Sequence, residues 1–172
     1  DSLIIGGSIT TLDFAYGAFT AACTGDQDVA YRAARPATWP STPAGKAARQ
    51  CTQDLAGKAG NFAPETSASM YANYFTSMSG GSELVYSIAA NYVSEFNSTG
   101  VADPAADHDA STKIDLNVRL MMENGLEIKL FGKNVTDEIV GSSSLALPLT
   151  PGSFFKLWEP GKQFGISIRK SF

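Results

Sequence analysis

An all-β fold is what this sequence predicts, built as an antiparallel up-and-down meander of about six strands. Three observations predict it. Apolar and polar residues alternate with period two in several stretches, as on a strand with one greasy and one wet face. Gly-Gly and Asn-Gly pairs stand where hairpins turn. Tight turns also alternate strictly with long connections along the chain.

The first segment runs from about Leu3 to Phe14. Leu3, Ile5 and Ile9 share one parity, Ile4, Leu12 and Phe14 the other, so a bulge is expected inside it. In the second, Ala68, Met70, Ala72 and Tyr74 alternate with Ser69, Tyr71, Asn73 and Phe75. A turn at Ser79-Gly80-Gly81 leads to the third, where Leu84, Tyr86, Ile88, Ala90 and Tyr92 alternate with Val85, Ser87, Ala89, Asn91 and Val93. The fourth, Ile114 to Met122, is the clearest. Its even positions are all apolar, and its odd positions include Asp115, Asn117 and Arg119. Glu123-Asn124-Gly125 turns into the fifth, where Leu126, Ile128 and Leu130 oppose Glu127, Lys129 and Lys133. In the sixth, Phe164, Ile166, Ile168 and Phe172 oppose Gly165, Ser167, Arg169 and Ser171.

Composition narrows the class. The 172 residues are 44% hydrophobic, with a formal net charge of -4 that leaves no electrostatic footprint for nucleic acid. No run of about 18 apolar residues exists, which excludes a transmembrane helix but not a membrane barrel, whose strands are only half apolar. The chain starts Asp1-Ser2-Leu3-Ile4, without an initiator Met or a basic leader, so the expectation is that a signal peptide has been removed or that the chain is a piece of something longer.

The connections at about 15–65, 97–112 and 139–162 are long, and those at 78–82 and 123–125 are short. In a meander, alternate connections lie at the same end, so all long loops gather at one end and all tight turns at the other. Outer-membrane barrels have that asymmetry, and Phe172, the last residue, is the kind of aromatic their final strands carry. A soluble β-sandwich also alternates apolar and polar residues, but has less reason to sort its loops by end. If the apolar parity faces lipid, Tyr74, Tyr86, Tyr92, Phe164 and Phe172 are lipid-facing aromatics. Asp115, Asn117, Arg119, Glu127, Lys129, Lys133 and Arg169 then face a lumen, where opposite charges can pair.

Cys23 and Cys51 enclose about 27 residues of a loop-like region and are expected to form a disulfide, two free thiols being the alternative. The sole histidine, His108, lies far from both in sequence, so no metal site is expected. Asp103, Asp107, His108 and Asp109 are read as a solvated acidic loop, with a weak cation site as the alternative. No Ser-His-Asp order, phosphate loop or metal spacing is present, so neither an enzyme nor a cofactor is expected.

Two motifs carry a family resemblance. Gly132-Lys133-Asn134-Val135-Thr136-Asp137-Glu138 resembles the stretch that closes the penultimate strand of TonB-dependent outer-membrane receptors. Glu159-Pro160-Gly161-Lys162-Gln163-Phe164-Gly165, running on to Phe172, resembles the closing segment of that family. Lys162 stands where Arg is usual, and Val135 where Leu or Phe is usual. Asp54 to Lys58 and Phe62-Ala63-Pro64 resemble the stretch before a descending strand of such receptors.

The resemblance implies that residues 1–172 are the C-terminal part of a larger receptor barrel of 22 strands, with the plug domain and most strands absent. It implies residence in the outer membrane, against lipid and lipopolysaccharide, and import of a scarce nutrient such as an iron chelate, cobalamin or a glycan. The implied partners are the rest of the same receptor, the TonB complex through a missing N-terminal part, and the barrel-assembly machinery through Phe172. The disulfide would then lie outside the cell. Ligand contacts are expected from loop aromatics and charges: Tyr31, Arg32, Trp39, Phe155 and Trp158. The alternatives are a complete small barrel or a soluble β-sandwich binding module.

Overall fold

The computed structural model describes residues 1–34, 50–147, 150 and 152–171. Trp39 and Phe172 lie outside the described residues. Along the chain come β1 (Ser2–Thr11), β2 (Thr20–Ala22), helix α1 (Gly25–Ala33), β3 (Thr52–Asp54), β4 (Thr66–Ser77) and β5 (Glu83–Val93). Then follow β6 (Phe96–Asn97), a 3-10 turn (Pro104–Ala106), β7 (Asp107–His108), β8 (Ser111–Met121), β9 (Leu126–Lys133), β10 (Gly141–Ala146), β11 (Phe154–Trp158) and β12 (Gln163–Lys170).

β1, β4, β5, β8, β9 and β12 form one six-stranded sheet in that order, each antiparallel to its neighbour. The sequence order of the long strands is thus their spatial order, as a meander requires. The two short connections are tight. Met78 N–H donates to Ser82 O, and Met122 N–H to Leu126 O, with Gly80, Gly81 and Gly125 in the left-handed region. The three long connections all leave the opposite end and carry small two-stranded ribbons: β2 with β3, β6 with β7, and β10 with β11.

One expectation fails at β1. Its register with β4 runs unbroken from Ser2↔Phe75 to Thr11↔Thr66, so no bulge lies in it. Gly6 and Gly7 interrupt the apolar alternation without shifting the pairing. Gly6 makes room for the Tyr71 ring on β4, where an added Cβ would lie 2.6 Å from the ring. The same device recurs at the other edge. Phe131 lies over its partner Gly165, and Phe164 over its partner Gly132, so a bare backbone on one strand is covered by an aromatic on the next.

Register aligns the apolar side chains in rows across the sheet. One row is Ile5, Ala72, Ile88, Leu116, Gly132 and Phe164; the next is Leu3, Tyr74, Tyr86, Val118, Leu130 and Ile166. This apolar face is the more exposed one. Tyr86 and Ile88 are 45% and 46% exposed, while Val85 between strands on the polar face is fully buried. Phe164, Ile166 and Ile168 are among the most exposed apolar residues of the molecule. On β8, Leu116 is exposed and its flanking Asp115 and Asn117 are half-buried. On the central strands β5 and β8 the wet face is therefore the more sheltered one, which reverses the order in a water-soluble domain, while the edge strands β1 and β12 expose both faces.

The charges on the sheltered face do not pair as expected. Arg119 stands directly opposite Lys129, and Glu127 opposite Arg169 without an ion pair among the described residues. Lys113 instead reaches Glu159 at the root of the last loop, and Asp115 accepts the Asn134 N–H at 2.8 Å. Arg119 Nε is buried without a hydrogen-bond partner among the described residues. At the edges, β1 pairs only with β4 and β12 only with β9 among the described residues. No helix of the described residues is long and apolar enough to cross a membrane, which does not bear on crossing by strands.

Candidate functional site

The functional candidates gather at the long-loop end. In the first loop, Cys23 and Cys51 form a disulfide with Cα atoms 5.3 Å apart, which closes the β2–β3 ribbon. Helix α1 starts directly after it. Thr24 accepts the Gln27 N–H, the Gln27 side chain accepts the Thr24 N–H, and Asp26 and Asp28 favour the positive end of the helix dipole. Gln53 then ties the first loop to the second, donating to Ala22 O at 2.9 Å and Val101 O at 2.7 Å.

The second loop is a compact knot. Asn97 Nδ2 donates to Asp103 O and Asp107 Oδ1, and Asp103 Oδ1 accepts the Ala105 N–H that opens the 3-10 turn. His108 is only 4% exposed. Its ring stacks on Phe96 with centroids 4.8 Å apart, and its Nε2 lies 2.9 Å from Ser98 Oγ and 3.3 Å from Ser144 Oγ. Ser144, on β10 of the third loop, also donates its N–H to Ser98 Oγ at 2.9 Å. Asp103 and His108 are thus buried, which corrects the expectation of a solvated acidic loop at those two positions, while Asp107 and Asp109 are exposed as expected. Among the described residues no group of His, Cys, Asp and Glu is arranged to hold a metal ion. Burial keeps His108 below its ordinary pKa, and the Lys156 cation adds to this, against the weaker opposing pull of Asp107 and Asp109. Both hydroxyls and the imidazole are buried, and the trio joins two loops.

The two motifs from the sequence meet at the root of the third loop. Asn134, in the left-handed region and buried, bonds Glu138 twice: Nδ2 donates to Glu138 O, and Oδ1 accepts the Glu138 N–H, both at 2.9 Å. Asp137 Oδ1 accepts the Lys162 N–H at 2.9 Å, and Oδ2 pairs with Lys162 Nζ at 3.1 Å. These bonds to Lys162, the backbone one foremost, lower the Asp137 pKa. Gly161 sits tight against the same carboxylate, where a Cβ would lie 3.0 Å from Asp137 Oδ1. Thr136 and Pro160 are exposed and complete the two turns. Asn134 and Glu138 therefore close the turn at the exit of β9, and Asp137 pins that turn to Gly161 and Lys162 at the entry of β12.

The three loops line an open cavity of about 710 Å3. Thr20, Asp28 and Arg32 line it from the first loop, Asp103 from the second, and Leu147 and Phe154 from the third. Arg32 Nε pairs with Asp28 Oδ2 at 2.8 Å. Gly152, in the left-handed region, brings the third loop against α1, where an added Cβ would lie 2.5 Å from Asp26 Oδ1. Of the residues predicted from sequence, Arg32 lines the cavity. Tyr31 is half-buried on the same helix. Phe155 and Trp158 are exposed on β11; Phe155 points away from the cavity with its partner Leu145, because Phe154 takes the inward parity. Neither a scan of protein-family models nor searches of curated proteins and solved structures gave a match to this chain.

Proposed function

We propose that this chain forms part of the wall of a transmembrane β-barrel of the TonB-dependent receptor type, which imports a scarce nutrient across the outer membrane. The single observation that carries the reading is the reversed exposure of the six-stranded sheet. An apolar face left open to the surroundings over six strands is costly in water, at about 25 cal/mol per Å2, and favourable in hydrocarbon. Three strand lengths agree: β1, β5 and β8 have 10, 11 and 11 residues, against the 9–11 of a tilted membrane strand, while β4 has 12 and β9 and β12 have 8 each. Two unpaired edges cannot persist in lipid, so further strands would continue the wall from β1 and β12. The joined motifs at Asn134–Glu138 and Pro160–Gly165 support the receptor type. The loop cavity with Arg32, Asp28 and Asp103 is the place for ligand contact.

Fractionation and growth test this. The full-length product is expected in the outer membrane, and its loss is expected to impair growth on one limiting nutrient, as loss of TonB also does. A product in the soluble fraction would defeat the membrane reading. A growth defect that needs no TonB would defeat the receptor type alone.

A further inference from the structure

We infer that the Ser98–His108–Ser144 joint is an acid-released latch between the second and third external loops. Ser98 and His108 belong to the β6–β7 knot, and Ser144 to the β10–β11 ribbon. The side-chain bonds between the two loops at this point converge on one imidazole and one hydroxyl. Ser98 Oγ accepts the Ser144 N–H, and His108 Nε2 bridges both serine hydroxyls. The imidazole is enclosed: Phe96 covers one face, and Gly141 backs Nδ1 so closely that any side chain there would collide with it.

Among the described residues, three charged groups act on the ring. Lys156 comes from β11, Asp107 and Asp109 flank the ring on its own segment, and Phe96 on β6 and Ser144 on β10 bring no charge. The net direction, downward, makes the closed joint prefer neutral His108. When the joint opens, the ring regains water and its ordinary pKa of about 6.5. The open form therefore binds the proton more tightly. The latch is at full strength above about pH 6.5 and weakens as pH falls from there to the depressed value of the closed state. Within that window opening rises by up to about tenfold per pH unit. Released, the β10–β11 ribbon loses its side-chain ties to the knot, and one wall of the loop cavity loosens with it.

Hydrogen exchange read by mass spectrometry at pH 7.5 and 5.5, corrected for intrinsic rates, tests this on the full-length protein. Segments 96–108 and 141–146 are expected to exchange several-fold faster at the lower pH, and strands 83–93 and 111–121 to be unchanged. His108→Gln is expected to abolish the difference. Lys156→Gln, which removes a cation outside the joint, is expected to shrink it. Equal protection of both loop segments at the two pH values, or an acid response that survives His108→Gln, would overturn the inference. If His108→Gln does not assemble, a Lys156→Gln variant with an undiminished response overturns it equally.

Discussion

Replacing Asn134 probes the root of the third loop most sharply. The side chain makes two bonds to the Glu138 backbone, both 2.9 Å, and the residue holds φ at 47° while 4% exposed. Each bond nets about 1 kcal/mol. A left-handed backbone suits Asn and costs Ala about 1 kcal/mol more. Asn134→Ala is then expected to destabilise by about 3 kcal/mol, and Asn134→Gly, which keeps the backbone without strain, by about 2 kcal/mol. Urea unfolding of the full-length protein in detergent measures both, with the slope unchanged if only stability moves. A Gly variant as stable as the parent would refute the hydrogen-bond role. An Ala variant no worse than Gly would refute the backbone term.

Further outcomes follow from other contacts. Gly165→Ala drives a methyl into the Phe131 ring and is expected to cost about 1 to 3 kcal/mol, but much less in a Phe131→Ala background, as a double-mutant unfolding cycle will read. Replacing both Cys23 and Cys51 by Ser, 28 positions apart, should loosen the β2–β3 ribbon by about 3 to 4 kcal/mol on the chain-entropy model, seen as faster proteolysis of the first loop with the sheet intact. Asp137 has a lowered folded-state pKa, so its bond to Lys162 contributes fully above the ordinary carboxylate range and is lost as pH falls through the lowered value. Lys162→Met keeps the backbone N–H bond, the larger cause, so amide exchange at 134–140 should retain most of its acid dependence in that variant.

The sheet was legible because each long strand is half apolar over many residues, and tight turns at 78–82 and 123–125 set its register. The loop ribbons were not, because strands of two or three residues such as Thr20–Ala22 and Phe96–Asn97 carry no readable period. Helix α1 does carry a signal in the sequence: Thr24 and Gln27 at capping-box spacing, with Asp26 and Asp28 in the first turn. The expected β1 bulge is absent because Gly6 and Gly7 break an alternation without breaking a ladder. At the site, Arg32 could be anticipated from type alone. Phe155 in place of Phe154 is a parity error that no single short ribbon could reveal. His108 looked solvated among aspartates; only the third loop folding onto Ser98 buries it.

Site-directed spin labelling tests the reversed sheet most directly. Nitroxides placed one at a time at Ile88, Leu116 and Ile166, and at their neighbours Ser87, Asn117 and Ser167, report which face meets lipid in the reconstituted full-length protein. The wall reading predicts that the first set is relaxed by oxygen dissolved in the bilayer and the second by a water-soluble nickel chelate. Equal access of the nickel chelate to both sets would contradict it.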